Sequence, residues 1–215
     1  MPIRPYKPLR LMTGHREIID ELSSADLNGR LQFQHSCLSQ VSMPYRAAGT
    51  SYEKRSGPWS IALHVDSPIL ESLDLAFEGG ESPQVPYGSK ARLVLLALQT
   101  RAIRSQSATV DVRPSFTAFA KEIGISTNGP SLKALRKQMV NLSLVQMRLW
   151  FRQTKKLSVF QGPIFSRFSV SLQDPEQNVL FPDTVRFSND YFESLQQHAL
   201  PLRIEAIRSL RGSAR

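Results

Sequence analysis

The stretch WSIALHVD, residues 59–66, alternates cleanly. Trp59, Ile61, Leu63 and Val65 face one way; Ser60, Ala62, His64 and Asp66 face the other. A period of two belongs to a strand with one covered face. The upstream run RLQFQHSCLSQVSMPYR alternates only loosely, so residues 30–65 as a whole read as β-rich. Ahead of it, TGHREIIDELSSADL (13–27) spaces Ile18, Ile19 and Leu22 as the apolar stripe of a short helix, and Asn28-Gly29 stops it. Residues 1–12 read as an extended, Pro-rich arm, and residues 67–86, with Pro68, Gly79, Gly80, Pro83 and Pro86, read as a loop or excursion.

After Pro86 the pattern becomes regular. SKARLVLLALQTRAIRSQS predicts a strongly apolar helix with Ser89 as N-cap and Leu93, Leu96, Ala97 and Thr100 or Arg101 at helical spacing. ATVDVR (108–113) predicts a short strand. PSFTAFAKEIGI predicts a second helix. Pro114 and Ser115 start it, Phe116, Phe119, Ala120 and Ile123 form its buried face, and Gly124 ends it as the C′ residue. STNGP is a turn, and SLKALRKQMVNLS is a third helix. LVQMRLWFRQ and LSVFQGPIFSRFSVSL then predict two strands around a tip at residues 154–156. The order helix, strand, helix, turn, helix, strand, turn, strand is that of a winged helix: a helix-turn-helix followed by a β-hairpin wing. The last stretch, TVRFSNDYFESLQQHALPLRIEAIRSLRG, reads as a strand, a helix capped by Ser188 or Asn189, a break at Pro201, and a further helix stopping at Gly212. The expected class is therefore α+β. It has an arm and short helix over 1–29, a β-rich segment and loop over 30–85, and a winged-helix domain over 86–173.

Charge sharpens this picture. The 215-residue chain carries a net charge of +9, unevenly placed. Residues 1–75 hold eight cations and eight carboxylates, while residues 124–173 hold eight cations and no carboxylate. One-signed charge in a single block is the footprint of a polyanion-binding surface, since any acid there would face phosphate. On the third helix, Leu132, Leu135, Met139 and Leu142 make a buried stripe. Lys133, Arg136 and Lys137, at i, i+3 and i+4, share the exposed face, and Gln138 and Asn141 flank it. Arg148 and Arg152 follow on the strand, and Lys155 and Lys156 sit at the wing tip. The expected DNA-binding set is thus Lys133, Arg136, Lys137, Asn141, Arg148, Arg152, Lys155 and Lys156, with double-stranded DNA as partner. The same helix would also suit packing against another subunit, with its cations solvated. Trp150 and Phe151 fall on opposite strand faces and read as core or interface residues rather than base-stacking ones.

Catalytic signals are weak. The sequence has no G-x-x-x-x-G-K-[ST] phosphate loop and no His-hydrophobe-His pattern with a downstream Tyr. His15, His35, His64 and His198 are scattered, and the lone Cys37 cannot complete a zinc site with them. The expectation is a protein that is not an enzyme, with no catalytic, cofactor or metal residues. A single cysteine excludes an internal disulfide, and no apolar stretch nears the ~18–20 residues of a membrane span. The N-terminal MPIRPYKPLRLMTG has no apolar signal region, and together these features imply a cytoplasmic protein.

Several stretches, CLSQVSMPYR, VPYGSKARLVLLALQTRAIR, SFTAFAKEIGISTNG, LRKQMVNLS and TVRFSNDYFESLQQHALPL, resemble the RepA-type plasmid replication initiator proteins, from about Cys37 to the end of the chain. PYGSKARL and FSNDYFESLQQHALPL are the most specific. The resemblance implies a protein that binds its own plasmid's origin and starts replication by recruiting host replication proteins. It also implies winged-helix domains, no cofactor and no intrinsic catalytic step. Family members continue past the segment matching AIRSLRGSA into a second winged-helix half. The chain therefore reads as C-terminally truncated, with residues 174–215 the start of a second, incomplete half. Two alternatives stand beside this reading: a winged-helix transcriptional repressor that regulates its own gene, and a dimerisation module, forming a homodimer without useful DNA affinity, whose basic block would be a solvated surface or would face an acidic protein partner.

Overall fold

The computed structural model describes residues 14–25, 29–65, 82–112, 115–152, 157–169 and 183–209. The arm over 1–12, most of the loop over 67–86, the wing tip with Lys155 and Lys156, and the end of the last helix at Gly212 lie outside the described residues. In chain order the elements are α1 (Gly14–Ala25), β1 (Leu31–His35), α2 (Ser36–Gln40), β2 (Ser51–Ser56), β3 (Trp59–Val65), α3 (Gly88–Ser105), β4 (Thr109–Asp111) and α4 (Phe116–Glu122). These are followed by α5 (Gly129–Leu144), β5 (Val145–Arg152), β6 (Leu157–Pro163), β7 (Phe165–Ser169), β8 (Thr184–Phe187), α6 (Asn189–His198), β9 (Ala199–Arg203) and α7 (Ile204–Ser209). Among the described residues the strands form three open antiparallel sheets, ordered β2-β3-β5-β6, β4-β8-β7 and β1-β9. The class is α+β.

Helix α3 runs through the middle. Val94 to Thr100 is buried without interruption, so this helix is covered all round. Its two buried polar residues each satisfy neighbouring backbone. Thr100 Oγ1 accepts the Phe33 N–H at 2.9 Å, and Gln99 Oε1 accepts the His35 N–H at 3.1 Å. The Gln99 amide nitrogen donates to the Tyr191 hydroxyl at 2.7 Å. Strand β1 is thereby held by β9 on one edge and by helix side chains on the other. Pro201, which has no N–H to give, sits opposite Phe33, whose own N–H is already directed at Thr100. The expected break at Pro201 is instead an edge-strand position.

Other expectations shift for similar reasons. Tyr87, not Ser89, is the N-cap of α3, and Gly88 follows it at φ +74°. The single return strand of the hairpin is two strands. β6 ends at Pro163, Ile164 is fully buried and accepts the Ser188 N–H, and β7 joins a different sheet. β4 pairs with β8, and the hairpin is joined to β3 and β2. Strand pairs β3–β5 and β4–β8 cross the expected boundaries at 85/86 and 173/174, so backbone hydrogen bonds tie those segments together. The main core runs from Cys37 to Tyr191. A smaller one unites Ile19, Phe33, Ile103, Leu195 and Ala199. Among the described side chains of α1 only Ile19 is buried; Ile18 is 52% exposed.

Candidate nucleic-acid interface

Helices α4 and α5 are set by local chemistry. Ser115 Oγ caps α4 by accepting the Ala118 N–H at 3.1 Å. Gly124, at φ +74°, turns the chain away, and the Ile125 N–H returns to the Ala120 carbonyl. Asn128 Oδ1 caps α5 by accepting the Ser131 N–H at 2.9 Å, with Pro130 in the first turn. Phe116, Phe119 and Ala120 of α4, and Leu135, Met139 and Leu142 of α5, are buried as their spacing predicts, with Leu132 packed at the core's margin.

Outward on α5, Lys133 is exposed, and Arg136 and Lys137 are half-buried. The Arg136 guanidinium lies 5.6 Å from the centre of the Phe116 ring, so this cation also ties α5 to α4. Its Nε is buried without a hydrogen-bond partner among the described residues. Lys133 and Lys137 interact with other groups of the protein as well.

Asn141 is not on this surface. It is fully buried, and its Oδ1 accepts the Gln84 N–H at 3.2 Å. Gln138 is buried beside it and accepts the Tyr87 N–H at 2.9 Å. At about 100° per residue, Asn141 lies only about 40° around the helix from Lys137. What covers it is the irregular segment 82–87, which lies over this side of α5 before α3 begins. These two amides hold backbone rather than read bases.

Strand β5 alternates from Val145 to Leu149. Val145, Met147 and Leu149 are buried, while Gln146, Arg148 and Arg152 are exposed. Phe151 stacks on Trp59 on the covered side, at 4.3 Å between ring centres, and Trp150 stands half-exposed on the opposite face. Sequence reasoning passed over Arg55, because it lies in the charge-balanced first third; register puts it on the same open face as Arg148. It also missed that Arg167 of β7 faces Arg186 of β8, both exposed. The two fall in different charge blocks, so only strand pairing reveals them.

The buried titratable groups are arranged for the interior. Burial, helped by His198, lowers the His35 pKa to about 3; its Nδ1 accepts the Cys37 N–H at 3.2 Å, and Nε2 lies 3.0 Å from Ser194 Oγ. Burial pushes the Cys37 thiol up to about 12, so it stays protonated. Among the described residues, no cluster of His, Cys, Asp and Glu is placed to hold a metal, and no helix is long and apolar enough to cross a membrane.

This is an α+β protein whose cations gather on one helix and on one open sheet face. A family model described as "Plasmid encoded RepA protein" matches residues 85–215, more than half of the chain. The chain belongs to this family of RepA-type plasmid replication initiators. Two crystal structures of RctB, comprising its domains 2 and 3, are similar at 12% identity, with TM-scores of 0.46 and 0.48. The alignments cover 74% and 75% of this chain and 60% and 58% of those chains, so the chain spans about three fifths of their length. No curated protein matches.

Proposed function

We propose that this chain is a non-catalytic replication initiator that binds double-stranded origin DNA and passes it to host replication proteins. In this reading α4 and α5 form a helix-turn-helix, α5 lies in the major groove, and the β5–β6 hairpin is the wing of a winged-helix module. One observation carries the reading. The block 124–173, which spans α5 and the hairpin, has no carboxylate, and the side of α5 that bears Lys133 and Lys137 is the side turned from the core. Lys133 and Lys137 are the phosphate-contacting residues, and Arg136 braces the helix pair while reaching the same surface.

The test is a salt titration of binding to the plasmid's own origin beside a scrambled duplex. Steep salt dependence with preference for the origin is the expected result. Absence of duplex binding at low salt would overturn the proposal. Preference for an inverted repeat at a promoter over the origin would replace the initiator with a repressor.

A further inference from the structure

The β2-β3-β5-β6 sheet has one face on the core and, among the described residues, the other bare. Register aligns three cations on the bare face: Arg55 of β2, and Arg148 and Arg152 of β5. The carboxylate beside them, Glu53, is held by Arg55 at 3.0 Å. Arg148 and Arg152 have no hydrogen-bond or ion-pair partner for their side chains among the described residues. Between them on the same face stands Trp150, so β5 presents Arg, Trp, Arg at every second position, about 13 Å from end to end.

The neighbours leave this line accessible. On the β3 side, Trp150 faces Ser60 and Arg148 faces Ala62, both too small to cover them. Shallow hollows follow, one against Ala62, His64, Arg148 and Gln161, the other against Ser60, Trp150, Arg152 and Leu157. On the β6 side, Val159 and Leu157 are 50% and 53% exposed.

We propose that this bare sheet face binds single-stranded DNA. Trp150 stacks on a base, Leu157 and Val159 cover its apolar flank, and Arg148 and Arg152 take the phosphates on either side. A duplex suits the face poorly, because its bases are already stacked on one another and offer an indole no free surface. A single strand offers both a ring and a charge at each step, and the face supplies both. The proposal shares with the duplex reading the polyanion partner and the β5–β6 hairpin, and it stands if α5 does not enter a groove.

The experiment measures fluorescence anisotropy of labelled oligothymidylate and of labelled duplex with the full chain, beside sedimentation of the protein alone. Trp150→Ala is expected to weaken the oligothymidylate by roughly tenfold and to leave the duplex unchanged. Trp150→Phe, which keeps an aromatic face, recovers most of the loss. Arg148→Gln with Arg152→Gln lowers the salt slope on the single strand by about 1.4. Lys133→Ala with Lys137→Ala shows the converse pattern. Circular dichroism melts confirm that each variant is folded. Several results would overturn the proposal: no binding of oligothymidylate, loss of duplex binding alone in the sheet variants, or a change in mass in place of a change in affinity. The last of these would make the face a contact between copies.

Discussion

Helix α5 and strand β5 follow one another without a linking residue, and both come from the same carboxylate-free block. They handle charge differently. On α5 a cation is braced as well as displayed: Arg136 spreads over Phe116, and the flank that carries Asn141 is roofed by residues 84–87. On β5 residues 145–149 are alternately inside and out, and Arg148 and Arg152 stand without partners among the described residues. A period of two divides a strand between core and solvent in one step. A period of 3.6 leaves flanks whose fate depends on what else packs there.

The comparison can be broken at its strongest point first. Leu135→Asp puts a charge into the fully buried stripe of α5 and should cost about 4 kcal/mol or more, abolishing a cooperative urea transition. Retention of that transition would show that the helix is wrongly phased. An interior group outside both elements calibrates the scale. The His35 pKa is about 3 folded against 6.5 unfolded, so the unfolded chain takes up the proton first. Stability should therefore fall as pH drops below about 6.5, by about 2 kcal/mol between pH 7 and 5. Urea melts at both values should show this slope, and His35→Asn should flatten it. Asn141→Ala orphans the Gln84 N–H, so a loss of about 1–3 kcal/mol is expected with no change in the salt slope of duplex binding. A changed slope with unchanged stability would return Asn141 to the DNA surface. Lys133→Ala with Lys137→Ala should do the reverse, with stability within about 0.5 kcal/mol and the duplex salt slope lower by about 2. Arg136→Ala falls between them, losing about 0.5–1 kcal/mol of stability with its ring contact and weakening duplex binding as well.

These differences also mark what the sequence made legible. Strand β3, the covered faces of α4 and α5, the caps at Ser115 and Ser188, and the outward line of β5 all follow from local period and local hydrogen bonding. What was hidden depends on residues far apart. Asn141 lies on a plausible contact flank until a segment 57 residues upstream is laid across it. The run from Leu157 to Ser169 looks like one strand until the buried Ile164 sends its second half to another sheet. Arg55 joins Arg148 only through the β2–β3 and β3–β5 registers. The segments most specific to the family resemblance turn out to include structural positions. Gly88 takes a positive φ, Ser188 caps α6, and Tyr191 closes the Gln99 network. Such residues identify the fold and leave the contact surface to be found by charge and register.

The clasp between β1 and β9 has a consequence for the newly made chain. Leu31 pairs with Arg203 and His35 with Ala199, so the first described strand finds its partner only among the last. Ile19 and Phe33 depend for their cover on Leu195 and Ala199 as well as on Ile103. At a synthesis rate of roughly 5–20 residues per second, these side chains wait on the order of ten seconds for the residues that enclose them. The N-terminal portion should accordingly be open to proteases on stalled ribosomes that have released residues up to about 190, and closed to them once Arg203 has emerged. A nascent-chain digestion would read that interval directly.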